Sequence, residues 1–238
     1  RTDSSAASDV YKRQELYKKN LKLPFFFASL RRIIMNKTAI IIPSRLDAQR
    51  LPNKPLKLIN NKEMILHVYE AAKKSNAGEV YVATPDKAIF ELVSNYGGKA
   101  VLSSETHNTG TDRIFEVFKN TLKSLPNIIV NLQGDMPNIE PKIIKNLINY
   151  MQQGKCEVGT LASEIKNNFE LEDENIVKVL VKEKLKEGIF SEALDFLRVN
   201  PGKDHKTYHH VGIYAFTSNA LSKYVSLKRS KLELNRKL

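Results

Sequence analysis

The sequence predicts an α/β fold: a mostly parallel sheet flanked by helices, with an antiparallel β insertion in the second half. Three observations predict it. From Met35 onward, short apolar runs alternate with stretches of helical periodicity, the pattern of successive βαβ units. Residues 39–42 and 128–132 are dominated by apolar side chains, as expected of strands covered on both faces. After Lys155 the alternation gives way to strand-like segments with little helix between them.

Taken in order, residues 39–42 form the first strand, and Pro43 ends it because proline has no N–H for the ladder. Residues 56–59 make a short apolar piece closed by the turn pair Asn60-Asn61. Residues 64–74 place apolar side chains at 64, 65, 68, 71 and 72, one helical face. A strand at 80–83 leads to a helix at 88–96 that stops at Gly97-Gly98. A strand at 100–102 precedes a helix at 111–122 with Ile114, Val117, Phe118 and Leu122 on one side. Residues 128–132 are the next strand, and 141–151 a helix with proline in its first turn. Beyond 155, strands are expected at 158–161, 176–181, 188–191 and 208–216, then helices at 218–225 and from 231. Residues 35–238 are expected to form a single domain in which 155–216 is the insertion.

Composition narrows the function classes. A chain of 238 residues with 42% apolar content can bury one sizeable core. A single cysteine, Cys156, excludes a disulfide framework and a cysteine-based zinc cluster. That agrees with a reducing, cytoplasmic compartment, and Cys156 reads as inert packing. The net charge of +12 invites a nucleic-acid partner, but residues 1–34 hold eight Lys/Arg against three Asp/Glu, and no RNA-binding aromatic pattern or zinc-finger spacing follows. No nucleic acid is therefore expected. Residues 1–34 read as a non-native or disordered extension. Their apolar run at 23–30 is too short to cross a bilayer, so no membrane insertion is expected. Met35-Asn36-Lys37 reads as the natural start, and Leu238 as a truncation point inside a helix.

Four segments carry chemistry. The first follows strand one and bears Arg45, Arg50 and Lys54, three cations where open α/β sheets bind ligands. Fixed positive charges there suit a polyphosphate. The loop has no glycine, so it is neither a Walker loop nor a dinucleotide fingerprint, and side chains must hold the phosphates. The alternative is a basic surface loop with solvated arginines. The second segment, Asn131-Leu132-Gln133-Gly134-Asp135-Met136-Pro137, delivers Asp135 to the same edge. A carboxylate facing cations and a triphosphate suits Mg²⁺; the alternative is a turn aspartate after glycine. The third, residues 107–113, puts Gly110-Thr111 at a helix start, where N–H groups and hydroxyls can meet a base, ribose or phosphate. An ordinary N-cap with Asp112 on the helix dipole fits equally. In the fourth, residues 208–214, His209 and His210 point to opposite strand faces, which disfavours a shared zinc ion. One of the two would then face a substrate carboxylate and the other solvent.

The pieces Ile-Ile-Pro-Ser-Arg at 41–45, Arg-Leu-Pro-Asn-Lys-Pro-Leu at 50–56 and Asn-Leu-Gln-Gly-Asp at 131–135 resemble the 3-deoxy-manno-octulosonate cytidylyltransferases, or CMP-Kdo synthetases. The resemblance covers about residues 37–238, with support from 107–113 and 210–214. It implies a Rossmann-like nucleotidyltransferase fold, CTP and the acid sugar Kdo as substrates, Mg²⁺ as cofactor and a homodimer built through the insertion. It implies that Arg45, Arg50 and Lys54 hold phosphates, with Lys54 at the α-phosphate. Gln133, Gly110, Thr111 and Arg113 would meet the nucleoside, Asp135 the metal, and His210 and Tyr214 the sugar. Met136 stands where the family usually has an acidic residue, and Glu192 follows Phe190-Ser191 where it usually has arginine. A second metal carboxylate and further sugar contacts would lie past Leu238. A sialic-type acid sugar, motivated by Glu192, and a catalytically dead nucleotide-binding remnant are the competing expectations.

Overall fold

In the computed structural model of this chain, the described residues are 37–47, 51–107, 109–122, 125–186, 189–202 and 206–236. The expectations for residues 1–34 lie outside them. The described chain divides into two units, one of Asn36–Thr160 and Gly212–Ser226, the other of Leu161–Val211 and Leu227–Leu238.

The first unit is built on strand β1 (Thr38–Pro43), whose six residues are all buried. It pairs in parallel with β4 (Glu79–Thr84) on one side and β6 (Ile128–Asn131) on the other. β5 (Ala100–Leu102) extends the sheet beside β4, also in parallel. The last residues of β10 (Thr207–Thr217) close the other side, antiparallel to β6 from Tyr214 to Thr217. Parallel neighbours need crossovers. Here they are α1 (Met64–Lys74), α2 (Lys87–Asn95) and α3 (Gly110–Thr121), and α4 (Pro141–Gln152) follows β6. Ile40, Ile41 and Ile42 are wholly excluded from water, each worth about 1.5–3 kcal/mol of burial. Ile114, Val117 and Phe118 of α3 pack on Ala39, Ile41, Ala83, Ile129 and Phe216. The helical and strand periods read from the sequence thus fall where expected.

The predicted turn at Asn60-Asn61 joins β2 (Leu58–Ile59) to β3 (Lys62–Glu63). Both asparagines take positive φ, 49° and 61°, as a two-residue hairpin of primed type requires. Lys62 donates to Glu70 at 2.6 Å, and His67 meets the Ile59 carbonyl oxygen at 2.8 Å, so the hairpin is fastened to α1.

In the second unit, β8 (Lys178–Val181) lies between β9 (Ala193–Leu197) and the start of β10, antiparallel to both. Lys178 is fully buried, and its ammonium donates to the carbonyls of Asp173 at 2.6 Å and Arg198 at 2.7 Å. Burial pushes its pKa down. Two differences from expectation occur here. Of the strand expected at 188–191, Gly188 lies outside the described residues and 189–191 form none; an isolated bridge joins Lys186 and Ile189. The ladder is taken by β9 instead, because Val179 and Val181 face Phe196 and Ala193, whereas Ile189 is 63% exposed. A short helix, α5 (Asn168–Glu172), was not expected; the Asn167 side chain caps it by accepting from the Glu170 N–H at 2.9 Å. Helices α6 (Ser218–Ser226) and α7 (Lys231–Arg236) end the described chain.

Bonds from Lys62 and Tyr96 hold the Glu70 pKa down at about 2. A folded pKa below the unfolded one stabilises fully above the unfolded value and fades as pH falls through the folded one. Thermal melts are therefore expected to show Glu70→Gln destabilised by about 1 kcal/mol at pH 6, after solvent screening. The gap to the parent protein should narrow between pH 4.5 and pH 2.

Candidate active site

Three chain segments meet at Pro43, the last residue of β1. Gly110, the first residue of α3, approaches it so closely that an added Cβ would lie 3.1 Å from the Pro43 ring. Gly134, in the loop after β6, approaches so closely that a Cβ would lie 2.9 Å from the Pro43 carbonyl oxygen. At Gly134 glycine is therefore required by contact with backbone rather than by φ, and at Gly110 the fit is tight. The two glycines bring the Gly110 segment, the Asp135 segment and the basic loop to one sheet edge.

The basic loop is anchored at its start: Ser44 N–H donates to the Ala83 carbonyl at 2.9 Å, and Leu46 N–H to the Asp86 carboxylate at 2.8 Å. Its far end is a 3₁₀ turn, Lys54–Leu56, seated by buried Pro55. The residue before that turn, Asn53, has φ 54° and ψ 27°, the left-handed conformation that asparagine tolerates better than most side chains. The turn presents Lys54, whose ammonium donates to Asp135 at 2.7 Å. The two side chains are 36% and 50% exposed. A pair so solvated contributes about 0–1 kcal/mol, so both groups stay available to a ligand.

Arg45 is exposed on the same loop. Arg113 is 3% exposed. Burial, and then the charge of Arg45, lower its pKa, while Asp86 opposes them. Arg113 Nη1 donates to the Ser104 carbonyl at 2.8 Å and to the Ser103 hydroxyl. Arg50 lies outside the described residues. Thr111 Oγ1 accepts from the Asn131 amide at 3.2 Å. Gln133 and Met136 lie beside Gly212, 3.8 Å from the position of a Cβ there. The N-cap alternative for this segment is realised: Thr109 and Asp112 form a reciprocal capping box. Three buried side-chain oxygens among the described residues lack a partner; two of them, on Ser44 and Asn131, sit at the carboxyl ends of β1 and β6.

The remaining candidates are placed as follows. His210, in the second unit, packs edge-on against Phe196 at 4.9 Å. Burial, and then His209, push its pKa down to about 4, so its ring is neutral at pH 7. Tyr214, in the first unit, stacks with Phe216 at 6.1 Å and packs against the core, and burial raises its pKa. Glu192 is held by Lys182 at 3.4 Å. Cys156 is pushed up to about 11 by burial, as an inert thiol would be.

No group of three or more His, Cys, Asp or Glu side chains able to hold a metal is found among the described residues. Asp135 offers one carboxylate. That donor set fits an ion that keeps most of its waters and binds phosphate oxygens, as Mg²⁺ does, rather than an all-protein cage. Sequence reasoning missed Asp86, Asn131 and Asn53. Asp86 follows β4 in Thr84-Pro85-Asp86, and the strand-end rule that found Asp135 could have found it too.

A basic loop facing a carboxylate at the carboxyl edge of a parallel sheet suits a nucleotidyltransferase, and comparison with known proteins shows that class. A family profile described as Cytidylyltransferase matches residues 39–238. The 3-deoxy-manno-octulosonate cytidylyltransferase of Brucella anthropi is 37% identical over 207 residues, 85% of this chain and 82% of that protein. The protein of the same name from Thermodesulfovibrio yellowstonii is 38% identical over 82% of this chain and 81% of its own length. The solved structure of CMP:2-keto-3-deoxy-manno-octonic acid synthetase complexed with CTP superposes with a TM-score of 0.76 at 36% identity, covering 85% of this chain and 83% of that one. The chain belongs to the cytidylyltransferase family and, within it, to the 3-deoxy-manno-octulosonate cytidylyltransferases.

The left-handed Asn53 sets a measurable requirement. Asn53→Gly should keep the stability of the parent within about 0.5 kcal/mol, and Asn53→Val should lower it by about 1–2 kcal/mol. Denaturant titration of the two variants checks this.

Proposed function

We propose that this chain transfers CMP from CTP to the anomeric hydroxyl of 3-deoxy-manno-octulosonate, giving CMP-Kdo and pyrophosphate for lipopolysaccharide core synthesis. The observation that carries the reading is the 2.7 Å contact of Lys54 with Asp135 beyond β1, in a chain similar along most of its length to a synthetase solved with CTP. In the reaction the sugar oxygen bonds to the α-phosphorus. The bond from that phosphorus to the bridging oxygen breaks, pyrophosphate leaves with it, and the hydroxyl proton passes to solvent. Such an in-line step needs alignment and charge neutralisation more than covalent help.

Arg45, Arg50 and Lys54 hold the phosphates. Lys54, on its rigid turn, meets the α-phosphate, where an ammonium offsets the charge that builds during attack. Asp135 holds Mg²⁺, which when bound neutralises triphosphate charge. Gly110, Thr111, Arg113 and Gln133 line the nucleoside pocket. Thr111 Oγ1 accepts from Asn131, which leaves its proton for another acceptor such as the ligand. His210 and Tyr214 face the sugar acid. A neutral His210 serves there as a hydrogen-bond partner rather than as a counter-ion. The protein works in the cytoplasm as a homodimer joined through residues 155–216, within a single domain spanning 35–238. Lys182 lies 3.4 Å from Glu192 inside its own unit, and it is the likeness to relatives named for 3-deoxy-manno-octulosonate that supports Kdo over a sialic-type sugar. No described helix is long and apolar enough to cross a membrane.

Pyrophosphate release measured with CTP, Mg²⁺ and a panel of acid sugars tests the reading. Kdo should be the preferred acceptor, and equal turnover of a sialic-type acid overturns that choice. Lys54→Ala should lower kcat about 10²–10³-fold, the usual loss on removing one preorganised charge donor. Asp135→Asn should lower turnover and shift half-maximal activity to higher Mg²⁺ concentration.

A further inference from the structure

His107 takes no part in the roles assigned so far, yet it is held firmly. Its Nε2 lies 2.5 Å from the carboxylate of Glu116. The same carboxylate accepts from the Ser104 N–H at 2.9 Å and from the Ser104 hydroxyl at 3.0 Å. Three donors from one loop thus converge on one side chain of α3.

That loop runs from β5 to α3. Its first residue, Ser103, is fixed to β4 through its N–H and the Thr84 carbonyl at 2.9 Å. From there it offers two acceptors to Arg113, the Ser103 hydroxyl and the Ser104 carbonyl. Glu116 stands three residues after Arg113, so the two side chains rise side by side on the helix surface. The loop is therefore gripped twice by α3, by Glu116 at Ser104 and His107 and by Arg113 at Ser103 and Ser104.

We propose that Glu116 is a positioning residue for nucleotide recognition: it fixes the Ser104–His107 loop, and the loop fixes the guanidinium of Arg113. The inference rests on the reading of Arg113 as a nucleoside contact. Its physical basis is the directionality of the bonds. Arg113 has only donors, so its orientation is set by where acceptors stand. The Ser104 carbonyl is one of them, and Ser104 is held through both its N–H and its hydroxyl by Glu116. Burial alone would raise the Glu116 pKa, but the bonds from His107 and Ser104 bring it below the ordinary value, so the group is a carboxylate that accepts from all three donors. Without it, Ser104 loses two bonds, and the acceptor that aims Arg113 is free to shift.

The test uses the full chain with CTP and Mg²⁺. Calorimetry gives Kd for CTP, and thermal melts run in parallel. Glu116→Ala should weaken CTP about tenfold, with little change in Tm. Glu116→Gln keeps the shape and one acceptor oxygen, so it should recover most of that loss. Arg113→Ala should weaken CTP as well, and Glu116→Ala should then add nothing in the Arg113→Ala background. Additive effects of the two substitutions overturn the positioning role and leave the nucleoside reading standing. So does a fall in Tm with unchanged CTP affinity. An Arg113→Ala variant that binds CTP normally overturns both. Should Glu116→Ala fail to fold, Glu116→Gln in the two backgrounds gives the same comparison on a smaller scale.

Discussion

The end of β1 is the constraint on which the site depends. A buried parallel strand must stop somewhere, and this one stops at a proline that cannot donate to a further ladder. Two glycines then allow other segments to crowd against that stop, one opening α3 and one following β6. A methyl group at Gly134 would fall 2.9 Å from the Pro43 carbonyl oxygen, well inside contact distance. The loop that carries Asp135 would have to shift. The place of Asp135 is thus set by the packing of the preceding residue on a main-chain atom.

Electrostatics are arranged on that frame. Lys54 and Asp135 touch while both remain partly in water. A fully buried pair would be costly to separate; a solvated one is not. The frame therefore brings opposite charges together loosely enough that a ligand can separate them. Arg113 is the opposite case. It is buried, its position is fixed by carbonyl and hydroxyl acceptors, and the charge of Arg45 lies near enough to depress its pKa. Two arginines near one another and a polar strand end form a place that favours an anion. That local arrangement explains more than the overall charge of +12, which is spread over much of the chain.

How much of this was legible in the sequence differs between the two halves. In the first half the hydrophobic periods are long and unambiguous, and the strand-end rule alone put Arg45, Lys54 and Asp135 at one edge. The hairpin at Asn60-Asn61 followed from turn chemistry. In the second half the signals are short. Ile189 and Phe190 look like a strand, but β8 selects Ala193 and Phe196 as cross-strand partners. That choice depends on register, which no local window contains. The helix capped by Asn167 carries a legible signal, an asparagine three residues before Glu170, yet it is brief beside the surrounding strand patterns. Glu116 was hidden for a different reason. On a helix surface a glutamate reads as solvated, and only the folded loop reveals that three donors converge on it.

Some local rules are broken where the proposed chemistry sits, as they also are at Asn60, Asn61, Asn76 and Thr38 away from it. Asn53 adopts a left-handed backbone one residue before Lys54. Ser44 and Asn131 bury oxygens without partners at the ends of two adjacent strands. Elsewhere a lysine as deeply buried as Lys178 finds two carbonyls, and the start of α3 is capped in both directions. Each unpartnered buried oxygen costs stability. Thr38, at the amino end of β1, carries one, and Ser44 and Asn131 carry the two at the carboxyl edge, where a polar ligand would complete them. The two oxygens at this edge are thus compatible with a polar ligand beside the charges that first suggested one.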